Sequence, residues 1–299
     1  MKRTDIKSRD LYAEVTDKLI TAIEADPGNP TLPWRRQKGA LSMPTNALTG
    51  NAYNGINVIN LWVSAELEGR SCPIWATYRQ WEELGAQVRK GEKATLVIFY
   101  KEYDAKPDPD DLEDNGRRRV ARASSVFNAD QVDGFEHGEA VPELGPIERI
   151  AAADAFVRSS QADIRHGGER AYFDRRSDFI QMPGEALFTG SETMTRSEGY
   201  YATLLHELVH WSGGEQRLDR TMGKRFGDHA YAAEELVAEI GAAFLCAELG
   251  ITQEVRPDHA AYLANWLKLL KDDKKAIFTA AARASEAETF LRGLAGRRE

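Results

Sequence analysis

Cysteine is scarce in this 299-residue chain, and its two copies, Cys72 and Cys246, form neither a disulfide framework nor a CxxC metal knuckle. Both are expected as buried small hydrophobes. No run of about 18 apolar residues is present, and the opening MKRTDIKSRD lacks the apolar core of a secretory signal. The expected location is therefore the cytoplasm, with no membrane partner. Long low-complexity tracts are also missing, which together with 42% hydrophobic residues argues for a folded protein. Two domains of ordinary size fit this length. Basic charge is in deficit, with a net charge of -8, and phosphate contacts need Lys and Arg. The deficit is uneven: residues 1–101 carry a small excess of Lys and Arg, whereas residues 136–299 are acidic. A polyanion is expected to meet the N-terminal part.

The chain reads as α+β, divided into residues 1–135 and 136–299. Leu11, Val15, Leu19, Ile20 and Ile23 form one stripe of an amphipathic first helix, which DPGNP ends. WATYRQWEELG predicts a short helix stopped by Gly85. QVRKGEKATLVIFYKEY predicts a basic hairpin turning at Gly91. Acidic residues, two prolines and an arginine run between about 104 and 122 predict a mobile loop, and ASSVFNADQV a strand returning from it. The second domain is expected to open with a helix from Ile147 to about Ser160. A hairpin made of AYFD and DFIQMP follows, then helices over about 197–211 and 230–249 and a helical C-terminus.

HELVH at 206–210 matches HExxH within an apolar stretch. On a helix, residues four apart share a face, so His206 and His210 reach one ion while Glu207 stands beside it. Two imidazoles suit a borderline divalent metal, most simply zinc, with manganese also compatible. A third ligand is expected from EELVAE: Glu235 and Glu239 lie four apart on a stripe continued by Ala238, Ala242 and Cys246. Buried carboxylates need partners, so Glu235 is assigned to the metal and Glu239 to the N–H of a ligating histidine, with Glu234 as the fallback ligand. Glu207 is the expected general base for attack on a carbonyl. Tyr200, His229 and Tyr231 are unranked candidates for a further donor at the developing oxyanion. The hairpin around Tyr172 to Met182 offers an edge to an extended peptide.

The N-terminal half interleaves aromatic, basic and amide side chains in PWRR (33–36), TGNAYNGIN (49–57), WATYRQWEELGAQVRKGEKA (75–94) and FYK (99–101). Rings stack on bases and cations follow phosphates, which is how single-stranded nucleic acid is held without sequence readout. The candidates are Trp34, Arg35, Arg36, Asn46, Tyr53, Asn57, Trp75, Tyr78, Arg89, Lys90 and Lys93.

These segments, with YYATLLHELVHWSG and YAAEELVAEIGAAFLCAELG, resemble the ArdC-type plasmid antirestriction proteins over nearly the whole chain; the N-terminal region is also similar to part of the TraC plasmid primases. The resemblance implies a single-stranded-DNA-binding N-terminal domain and a zincin-like C-terminal domain similar to that of Spartan-type proteases. It implies protection of incoming plasmid DNA from host restriction during conjugation, with a restriction enzyme or another DNA-bound protein as a further partner. Two alternatives stay open: an active protease on DNA-associated proteins, and a strand-coating module whose metal is structural.

Overall fold

The computed structural model describes residues 10–25, 32–35, 41–104, 117–136, 146–221, 229–253 and 259–296. In chain order the elements are α1 (Leu11–Glu24), β1 (Thr45–Asn46), α2 (Ile56–Glu68), β2 (Ile74–Thr77), α3 (Tyr78–Glu83), β3 (Gln87–Val88), β4 (Thr95–Asp104), β5 (Arg117–Asn128) and β6 (Val132–Asp133). Then come α4 (Pro146–Ser160), β7 (Asp163–His166), β8 (Tyr172–Asp174), β9 (Phe179–Met182), α5 (Arg196–Ser212), α6 (His229–Leu249), α7 (His259–Asp272) and α8 (Ala276–Ala295). The architecture is α+β.

Its compact units cut across the expected division at residue 135. One unit comprises residues 1–43, 54–69 and 137–299, the other residues 44–53 and 70–136. The first helix and α2 thus belong with the C-terminal part. Burial explains this: α1 hides Val15, Leu19 and Ile23, and α2 hides nine residues in succession from Ile56 to Ala65 apart from Asn57. Trp62 of α2 meets Phe244 of α6 at 5.8 Å between ring centroids. Apolar area of that extent is stable only inside a shared core.

The smaller unit is built on a four-stranded sheet, β1-β2-β5-β4, with β1 parallel to β2 and the other pairs antiparallel. The segment WATYRQWEELG divides, with Trp75 to Thr77 pairing with β5 and only Tyr78–Glu83 helical. Thr77 explains the switch, because its side chain caps α3 while Gln80 closes a capping box. The expected hairpin around Gly91 does not form: β3 pairs with β6, and β4 pairs with β5 from Thr95↔Val126 to Asp104↔Arg117. Main-chain pairing extends these strands into the stretch expected as a loop, and its centre, 105–116, lies outside the described residues. Trp81 is fully buried, and its indole N–H donates to the Phe127 carbonyl at 3.0 Å.

In the larger unit the expected helices appear within a residue or two, with Pro146 at the first position of α4. The hairpin forms as β8 and β9, and β7, not expected, adds parallel to β9. Three of the four β7 residues are exposed, so no apolar alternation announces it. Cys246 is buried, whereas Cys72 is only half-buried. Among the described residues no helix is long and apolar enough to cross a membrane.

Candidate metal centre

The centre lies between α5 and α6. α5 starts cleanly because Thr195 and Glu198 form a capping box, and Glu198 also accepts hydrogen bonds from Thr252 N at 3.2 Å and Oγ1 at 2.8 Å. That contact ties the start of α5 to the chain just beyond the end of α6, so the helices run antiparallel. Near the end of α5 they touch closely: a Cβ on Gly241 would stand 2.9 Å from both methyls of Val209. Glycine there sets the separation across which the polar side chains meet.

His206 and His210 sit on α5, and their ring centroids are 4.9 Å apart at 80°. Each ring points one nitrogen at Glu235: Nε2 of His206 is 3.6 Å from Oε2, and Nε2 of His210 is 3.6 Å from Oε1. Among the described residues these three form the group whose donor atoms lie within 4.8 Å of one another. The other ring nitrogens face further carboxylates. Nδ1 of His206 lies 4.0 Å from Glu239, and Nδ1 of His210 lies 3.3 Å from Glu234. Carboxylates behind Nδ1 favour a proton there, so Nε2 is the nitrogen each ring would turn to a metal. Two imidazole nitrogens, a carboxylate and carboxylates behind the rings are a donor set that suits a divalent ion. Glu207, following His206 on α5, is buried.

The electrostatics reflect this crowding. Burial works against charge on His210, but the Glu235 and Glu234 carboxylates outweigh it and raise the imidazole to about 10. Burial likewise opposes ionisation of Glu235, and the two histidines reverse this, holding its carboxyl far below the usual range. Glu234 is also lowered against its burial, by His210 and by Arg220.

Arg220 escaped sequence reasoning. It is buried, donates from Nε and Nη2 to Glu234 at 3.1 and 2.8 Å, and gives its remaining donors to Ser212 Oγ at 3.0 Å and the Val209 carbonyl at 2.6 Å. Glu234, the fallback ligand, is therefore engaged behind His210. Of the three donor candidates, Tyr231 reaches the centre. Burial raises its phenol, and Tyr262, at 3.1 Å, and Glu235 raise it further. Tyr200 is bonded instead to His166 at 2.8 Å, and His229 is exposed at the start of α6.

The nucleic-acid candidates separate. Trp34 is 2% exposed in the larger unit and Trp75 1% in the smaller one, so both correct the expectation: neither ring offers a face to a base. Asn57 is half-buried on α2. Asn46 organises its own turn, accepting from Leu48 N and Thr49 N at 3.1 Å and donating to Tyr53 and Gln80. Tyr53 is half-buried there. Tyr78, Arg89, Lys90 and Lys93 are exposed in the smaller unit, as are Phe99 and Tyr100 of β4. Arg35 ends the short 3-10 helix Pro33–Arg35, but its side chain and all of Arg36 lie outside the described residues.

An HExxH helix packed against a glutamate-bearing helix, below a small sheet, defines a zincin-like metallopeptidase domain, and the family model of that description matches residues 151–283. A second model, the N-terminal domain of the anti-restriction factor ArdC, matches residues 9–127. The metal-free crystal structure of antirestriction protein ArdC from plasmid R388 is 41% identical, covers 97% of this chain and all of its own, and superposes with a TM-score of 0.78. The Mn(II)-bound form of that protein gives 40% and 0.76 over the same shares. An uncharacterized protein of Sinorhizobium fredii, y4eC, is 44% identical over 97% of this chain and 94% of its own. DNA primase TraC of Escherichia coli is 36% identical over 94% of this chain, which spans only 27% of that protein. The chain belongs to the ArdC family of antirestriction proteins.

Proposed function

We propose that this protein is an antirestriction factor that binds single-stranded DNA without sequence preference and shields incoming plasmid DNA from host restriction during conjugation. It would act in the cytoplasm, where that DNA arrives. His206, His210 and Glu235 hold a divalent metal, zinc or manganese, with Glu239 and Glu234 orienting the histidines. The observation that carries the metal reading is the convergence of both Nε2 atoms on the Glu235 carboxylate. DNA as the partner is supported by the exposed Tyr78, Lys90 and Lys93 of the smaller unit, and by the likeness to a DNA primase.

A second reading, proteolysis of a DNA-bound protein such as a restriction enzyme, is favoured by Tyr231 beside Glu235 and by Glu207 beside His206. A divalent ion there supplies Lewis acidity toward a carbonyl oxygen. Glu207 would take a proton during attack, and the Tyr231 hydroxyl would donate toward developing negative charge.

The deciding experiment measures bound metal and single-stranded-DNA affinity on wild type and His206→Ala. Near-stoichiometric metal in wild type, lost in the variant with DNA binding retained, supports two separable sites. Absence of metal from wild type after incubation with zinc or manganese rejects the metal reading. Glu207→Gln then divides the readings: antirestriction persists if shielding is by binding and disappears if it is by proteolysis.

A further inference from the structure

The smaller unit contains a hollow of its own. It measures about 540 Å3 and is lined by Tyr78, Phe127, Gln87, Arg89, Glu92 and Asp133. That volume is within the ~300–1,000 Å3 usual for small organic ligands.

Its aromatic part is Tyr78, 42% exposed at the start of α3 and edge-on to Phe127 at 6.5 Å and 72°. Gln87 Nε2 donates to the Tyr78 hydroxyl at 2.9 Å and so restrains the ring. Tyr78 is therefore a fixed aromatic face partly open to solvent. The polar part is organised by Arg89, whose guanidinium lies 3.3 Å from Glu92 and 3.4 Å from Asp133 and also donates to the Val132 carbonyl at 3.2 Å. Gln131 donates to Glu92 at 3.0 Å, which holds that carboxylate in turn.

The charge pattern selects the occupant. Arg89 is already paired with Glu92 and Asp133, and Glu92 also stands 3.7 Å from Arg70, so a phosphate placed on Arg89 would have to displace a carboxylate from the guanidinium. A flat, uncharged ring bearing N–H groups meets no such penalty: its face stacks on tyrosine and its edge donates to a carboxylate. Lys90 also lines the hollow, and Lys93 is exposed three residues later. An aromatic face with cations close by is what the base and phosphate of a nucleotide need.

We propose that this hollow is a nucleobase subsite: one base of a single strand stacks on Tyr78, with its edge toward Gln87 and Asp133, while Lys90 and Lys93 meet flanking phosphates. The subsite rests on the single-stranded-DNA reading given above and specifies where that strand is gripped.

The test measures affinity of the full-length protein for two labelled strands of equal length, one a mixed-sequence oligodeoxynucleotide and the other the same backbone without bases. Tyr78→Ala is expected to weaken the base-bearing strand about 5- to 100-fold and to leave the abasic strand unchanged. Tyr78→Phe keeps the ring and is expected to stay within about 3-fold of wild type, a difference of under 1 kcal/mol. Lys90→Ala is expected to weaken both strands and to reduce the salt slope by about 0.7. If wild type binds both strands and Tyr78→Ala binds them equally well, the subsite is overturned while the DNA reading stands. Equal loss on both strands also overturns it, because the ring would then not be acting on a base. If wild type binds neither strand, both the subsite and the DNA reading fail.

Discussion

Arg220 reaches from the chain beyond α5 to Glu234 on α6, with Nε at 3.1 Å and Nη2 at 2.8 Å from the carboxylate, and the same Glu234 stands 3.3 Å from Nδ1 of His210. The guanidinium therefore fixes a carboxylate that fixes an imidazole. A lone buried glutamate would tend to take up a proton, and His210 together with Arg220 keeps this one ionised.

Removing either end of that chain of contacts has a defined outcome. Arg220→Ala leaves a buried carboxylate without its guanidinium partner, and breaking a buried pair in this way costs up to about 3–5 kcal/mol, read as a lowered melting temperature. Glu234→Gln keeps the shape but loses the charge behind His210. Metal affinity measured by calorimetry is expected to fall about 10- to 100-fold, and unchanged affinity in both variants would remove Arg220 and Glu234 from the metal centre.

The ligand assignment predicts unequal effects from three neighbouring glutamates. Glu235→Ala should abolish stoichiometric loading. Glu239→Gln should weaken it about 10- to 100-fold, since it acts through His206. Glu207→Gln should leave loading nearly intact. Metal content by elemental analysis on the three variants checks the order, and full loading of Glu235→Ala would require a different third ligand.

Gly241 predicts a packing effect. Its replacement by alanine puts a methyl 2.9 Å from both Val209 methyls, and overpacking of this kind costs about 1–3 kcal/mol. Thermal unfolding should show the loss. The double variant Gly241→Ala, Val209→Ala is expected to relieve the clash, giving a loss smaller than the two single changes would sum to.

Glu198 predicts acid sensitivity. Burial pushes its carboxyl up, but hydrogen bonds from Thr195 and Thr252 outweigh this and hold it below its ordinary value. A lowered folded pKa contributes stability that is complete above the unfolded value of about 4.3 and is lost as pH falls through the folded value. Denaturant midpoints from pH 7 down to 3 should therefore fall mainly below about pH 4.5, less steeply in Glu198→Gln. Identical pH profiles would remove Glu198 as the source.

Much of the centre was open to sequence reading because its geometry is local. His206 and His210, like Glu235 and Glu239, are four apart, and helical periodicity alone puts each pair on one face. The amino-acid sequence by itself thus determined the α+β class, the HExxH helix, the glutamate helix and the chemistry of their donors. Tertiary structure decided which carboxylate stands behind which imidazole, because that depends on the antiparallel docking of α5 on α6 at Gly241. Arg220 became visible only there, since a single arginine in a polar connection carries no periodic signal. Trp34, Trp75 and Tyr78 are alike in a string of letters; packing hid the two indoles and left the phenol open. The partner of β3 was settled the same way: a two-residue strand has too little pattern to name its neighbour, so the ladder with β6 follows from the close of the chain around Trp81.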